Sequence, residues 1–63
     1  MYDFMTVEEL ANMLKVSTRT IYRMLNTNQL PFAIKIESGW RFDKFDVQNW
    51  INNLKLINLA KKP

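Results

Sequence analysis

"TVEELANMLKVSTRTIYRML", residues 6–25, holds two helical patterns and almost nothing between them. Thr6 and Glu9 have the spacing of a capping box: the hydroxyl accepts from the Glu9 N–H, and the carboxylate reaches back to the Thr6 N–H. Met5 and Leu10 occupy the two positions of a hydrophobic staple around that cap. Val7, Leu10, Ala11 and Leu14 then recur at helical period, with Glu8 and Asn12 on the other side. This first helix is expected to end near Lys15. Ser17 caps a second helix, and Val16 and Ile21 repeat the staple spacing. Ile21, Met24 and Leu25 are expected to point inward. Only Val16 and Ser17 separate the two patterns, and so short a join suits helices that cross at a steep angle.

Past this pair, the second helix is expected to end near Thr27, with Asn28 as a left-handed residue after it. Pro31 prevents any continuation. "AIKIESGWRF" (33–42) is a hairpin signal: Ile34 and Ile36 alternate with Lys35, and Trp40 and Phe42 alternate with Arg41. A loop of Glu37, Ser38 and Gly39 sets Ile36 against Trp40 and Ile34 against Phe42. One face is then wholly apolar, and Lys35 and Arg41 share the other. Gly39, the chain's one glycine, falls where a type I turn with a bulge needs a left-handed residue. A two-residue loop would mix the faces, so the longer loop is expected. A third helix starts at Asp43, with Phe42 and Val47 as its staple and Val47, Trp50, Ile51 and Leu54 as its core stripe. Phe45 falls off that stripe and is expected to be exposed. Residues 54–63 read as an extension of this helix to about Leu59, or as a tail. The expected order is α-α-β-β-α in a single domain spanning 1–63, mainly helical with a small hairpin.

At 63 residues the chain holds one small core, and with no cysteine it cannot be stapled by disulfides. It also has no histidine, which leaves only carboxylates for a zinc site, so no metal or other cofactor is expected. Apolar burial remains, and 48% hydrophobic content with two Trp, two Tyr and four Phe supplies it. No apolar run approaches the ~20 residues of a membrane helix, and no signal peptide is visible. The expectation is a soluble, cytoplasmic protein.

Charge is unevenly placed. Residues 15–41 hold Lys15, Arg19, Arg23, Lys35 and Arg41 against Glu37 alone, a net of +4, while the rest of the chain carries −1. Such a concentration is the footprint of a polyanion partner, or else an ordinary solvated face. On the second helix Arg19, Tyr22, Arg23 and Asn26 fall within about a third of the circumference, opposite Ile21, Met24 and Leu25. Arginine pairs with phosphate or forks onto guanine, and asparagine bridges adenine in the same way. Threonine and tyrosine hydroxyls serve phosphate oxygens, and Ser17 and Thr18 stand at a helix N-terminus, which favours anions. Each of these residues is also an ordinary surface residue when taken singly. The hairpin adds Lys35 and Arg41, with Ser38 and Gly39 at its tip. Trp40 reads first as core and second as a base-stacking ring.

"TVEELA", "VSTRTIYRML", the "LP" after the second helix, "WRF" and "DVQNWI" together resemble the excisionase-type DNA-binding domain, a winged helix-turn-helix related to the DNA-binding head of MerR-type regulators. The likeness covers residues 5–51. It implies a recognition helix from Ser17 to Asn26 and a wing from Lys35 to Arg41. In the family, positions matching Ser17, Arg19, Thr20, Tyr22 and Arg23 face DNA, and the basic residue matching Arg41 supports the wing. The chain departs from the family in having Asn28 for a common glycine, Phe45 at a usually polar place, and an apolar tail beyond Ile51.

Three function classes compete. The leading one is sequence-specific binding of double-stranded DNA, either as an excisionase-like factor that bends DNA near an attachment site or as a regulator at a promoter. The second is a protein-interaction module in which Phe45, Leu56, Ile57 and Leu59 meet an integrase (recombinase) or a second copy. An enzyme is the weakest, because the six carboxylates are scattered and no catalytic constellation is visible.

Overall fold

The computed structural model describes residues 3–61, with side-chain surroundings up to Asn58. Its elements in order are β1 (Phe4–Met5), α1 (Val7–Leu14), α2 (Thr18–Asn26), β2 (Ile34–Ile36), β3 (Gly39–Asp43) and α3 (Lys44–Lys61). Three helices and a small antiparallel sheet make a winged helix-turn-helix, as the sequence led one to expect.

The helix starts follow their capping residues. Thr6 Oγ1 accepts from the Glu9 N–H at 3.1 Å, and the Thr6 N–H donates to Glu9 Oε1 at 2.8 Å. The first helix closes on Lys15 in the left-handed region, φ 58. The Lys15 N–H then bonds the Asn12 carbonyl, and the Val16 N–H bonds the Ala11 carbonyl. That is a Schellman closure, and it turns the chain sharply enough for α2 to begin three residues later. The end of α2 repeats it around Asn28 (φ 61), with the Asn28 N–H on Leu25 O and the Gln29 N–H on Met24 O. Asn28 does here what glycine commonly does, and the chain passes directly to Leu30, which is buried.

Phe42, Leu10, Ile21 and Val47 are fully buried, one each from β3, α1, α2 and α3. Met5, Val7, Ala11 and Leu30 complete the core, and Met24, Leu25, Phe32, Trp40, Trp50 and Ile51 pack around it. Burying each large side chain stabilises the fold by roughly 1.5–3 kcal/mol. Phe32 sits between Phe42 and Trp50, at centroid distances of 6.2 and 5.9 Å.

Three features depart from the sequence reading. The first is a third strand: β1 pairs antiparallel with β3, Phe4 opposite Asp43 and Met5 opposite Phe42, so the sheet runs β1-β3-β2. Two residues are too few to show a period. The second is the hairpin register, with Ile34 opposite Arg41, Lys35 opposite Trp40 and Ile36 opposite Gly39. The loop is therefore Glu37-Ser38, not Glu37-Ser38-Gly39. Neither loop residue takes a positive φ, so the turn is not of the primed kind that suits strand twist, and Gly39 at φ 122 absorbs the mismatch. The third is Leu54: α3 runs on to Lys61, close to the expected end, but Leu54, expected in its core stripe, is 40% exposed. At its start, Asp43 is the last residue of β3 and caps α3 by accepting from the Phe45 N–H at 2.9 Å. The Lys44 N–H donates to the Asp3 carbonyl, and an exposed Lys44–Asp3 ion pair (3.2 Å) lies beside it.

Candidate nucleic-acid interface

Ser17 sets the start of α2. Its Oγ accepts from the Thr20 N–H at 3.2 Å and lies 3.1 Å from Thr20 Oγ1. Both hydroxyls are thus engaged at the helix start, and Thr20 is half-buried on the side away from the exposed face. At about 100° per residue, Thr18, Arg19, Tyr22, Arg23 and Asn26 share one arc of α2, and all five are exposed. Ile21, on the other side, is fully buried. So five of the seven expected helix residues stand together, while Ser17 and Thr20 support the helix beneath them.

The two arginines are electrostatically uncommitted. Among the described residues neither Arg19 nor Arg23 makes an ion pair or a side-chain hydrogen bond, and the ion pair there is Lys44–Asp3. Their donors face water, available to phosphate or to a base edge. At the far end of the helix the Thr27 hydroxyl donates to the carbonyls of Arg23 and Met24, and Gln29 Nε2 donates to Thr27 Oγ1 at 2.7 Å. This clamp fixes the last turn, which carries Arg23 and Asn26. Sequence reasoning missed it, although a threonine near a helix end followed by glutamine two residues on was a visible signal.

The hairpin differs from expectation. Because directly opposite residues share a face, Lys35 lies with Trp40 and Phe42, and Arg41 lies with Ile34, Ile36 and Gly39. Lys35 and Arg41 therefore occupy opposite faces. Lys35 Nζ sits 5.1 Å from the Trp40 ring centroid, a cation–π contact that the three-residue loop would have prevented. Trp40 is half-buried, one side against the core and the other under this ammonium. Arg41 turns back on the hairpin, donating to the Trp40 carbonyl at 2.8 Å and to Ser38 Oγ at 3.1 Å. Arg41 and Ser38 thus brace the turn. Ile34 and Ile36, expected inside, stand 42% and 43% exposed beside that guanidinium.

On α3, Phe45 is 72% exposed as the sequence suggested, and Leu56 and Ile57 are 65% and 51% exposed. The Leu59 side chain, expected to join them, lies outside the described residues. Among the described residues no cluster of carboxylates could hold a metal ion, and no helix is long and apolar enough to cross a membrane.

Short capped helices, a closure that leaves only Lys15, Val16 and Ser17 between them, and a basic exposed face on the second form the geometry of a helix that enters a DNA groove. No curated protein and no solved structure matches the chain. A family model does, over residues 4–55, from β1 to one residue past Leu54 in α3, and on that match the chain belongs to the helix-turn-helix domain family, with DNA as the partner this supports.

Proposed function

We propose that the protein binds double-stranded DNA sequence-specifically, laying α2 in the major groove so that Arg19, Tyr22, Arg23 and Asn26 meet base edges while Thr18 and the helix start meet a phosphate. The observation that carries this is the exposed arc of α2, whose two guanidiniums make no ion pair among the described residues. Ser17 and Thr20 act through the helix start, and Lys35, Ser38, Gly39 and Arg41 make up a wing beside it. The biological role is excisionase-like: occupying sites near an attachment site, bending the duplex and helping an integrase assemble. A bend of this kind costs on the order of 1–6 kcal/mol, offset by the contacts it permits. A promoter-bound regulator would use the same surface.

Selection of duplexes from a random pool, followed by affinity measured against salt, tests the proposal. A common sequence should emerge, and log affinity should fall linearly with log salt as phosphates are neutralised. Absence of duplex binding at low salt would overturn it. The exposed Phe45, Leu56 and Ile57 of α3 favour a second reading, a docking face for an integrase or a second copy. Binding of such a partner with no duplex affinity would establish that reading in place of the first.

A further inference from the structure

The outer face of the hairpin is unusual for a DNA-binding wing. Its tip would be expected to send cations toward phosphates. Instead one cation lies on the opposite face over Trp40, and the other is folded down and held by two hydrogen bonds. What this face exposes is Ile34 and Ile36, with the half-buried Arg41 guanidinium fixed beside them. Gly39 opposes Ile36 and contributes no side chain, so the β3 side chain nearest Ile36 on this face is Arg41, whose Nη1 lies 3.9 Å from where a Gly39 Cβ would stand.

Resting on the DNA reading above, we infer that Ile36 is an apolar wedge that inserts at a base step in the minor groove, with Arg41 supplying fixed positive charge at its side. Three observations choose this occupant. A braced two-residue turn keeps Ile36 from folding away, as a wedge requires. A guanidinium has five N–H donors and Arg41 commits two of them, to the Trp40 carbonyl and Ser38 Oγ, so it retains donors toward the strongly negative floor of a narrow groove. A second copy stacked on the same face would bring two such fixed cations together, which opposes self-association there. Glu37, exposed at the turn, disfavours a tip-first approach along the phosphates, so the strand face leads. Isoleucine wedges of this kind unstack a step and kink the duplex.

The test uses a duplex selected by the full chain, with 2-aminopurine placed at each step of the flanking site in turn. Binding should raise its fluorescence several-fold at one step, which reports unstacking. Ile36→Ala and Ile36→Thr, both with unchanged circular dichroism, should abolish the rise and reduce the bend read by end-to-end energy transfer. Ile36→Leu should restore both. Arg23→Ala should weaken binding yet keep the rise at saturation. Tight binding without a rise at any step, or a rise that survives Ile36→Ala, would overturn the wedge and leave the DNA reading standing. So would a dimer of the free chain that is lost in Ile36→Ala without any stacking signal. No duplex binding by the unaltered chain would remove the DNA reading itself.

Discussion

Arg23 sits in the last turn of α2, exposed, without an ion pair among the described residues and with the Thr27–Gln29 clamp fixing the backbone beneath. A guanidinium held this way gains only when something outside supplies oxygen or nitrogen acceptors. Arg23→Ala should therefore leave thermal stability unchanged but weaken binding to the selected duplex by roughly 1–3 kcal/mol, with preference relaxed at one base position. Competition titrations against single-base variants of the site would show it, and equal losses on every variant would mean a phosphate contact instead. Gly39 is a different case, a residue whose backbone conformation the fold requires. A Cβ there would meet nothing nearer than Arg41 Nη1 at 3.9 Å, so space is not the obstacle. The backbone is, because φ 122 is a conformation that L residues rarely adopt. Gly39→Ala should cost about 1–3 kcal/mol in a urea melt, from backbone strain. That Gly39 needed freedom was legible in the sequence. The register around it was not, because Ile, Lys, Ile against Trp, Arg, Phe segregates neatly in one pairing, and nothing local reveals that Lys35 will find the Trp40 ring in the other.

At the scale of elements, what could be read was whatever neighbours in sequence decide. Caps at Thr6 and Ser17, the left-handed Asn28 and the Asp43 cap of α3 each involve groups within a few residues, and each appears as the pattern required. Ser17→Ala removes the acceptor for the Thr20 N–H and should destabilise the protein by about 1 kcal/mol, while Ser17→Asp should recover most of that. Paired thermal melts would decide it, and a loss that Asp does not repair would point to the Ser17–Thr20 hydroxyl contact instead. Elements fixed from a distance were not legible. β1 exists because Phe42 and Asp43 offer it an edge, and two residues carry no period of their own. The candidate site divides in the same way. The exposed arc of α2 was readable as a helical period and Ser17 as its cap, but the turning-in of Arg41 depends on the register the hairpin takes.

At the scale of the whole molecule, α3 separates two jobs. Its 18 residues reach about 27 Å at 1.5 Å each, in a molecule 44 Å along its longest axis. The first half carries Val47, Trp50 and Ile51 into the core. Beyond it, every described side chain from Leu54 to Asn58 is exposed. Residues 55–63 contain Lys55, Lys61 and Lys62 and no acid, so removing them takes the net charge from +3 to zero, and the described side chains among them, 55–58, are all exposed. The shortened chain should stay folded, with stability within about 1 kcal/mol of the full chain. It should select the same duplex sequence, since α2 is unchanged. Its affinity for all duplexes should fall together at low salt, and its salt slope should flatten wherever those lysines neutralise phosphate. Selection, melting and salt titration on the two chains separate these effects. A changed consensus would place part of the base-reading surface on α3, whereas unchanged affinity and slope would leave Lys55, Lys61 and Lys62, with Leu56 and Ile57 between them, for a protein partner.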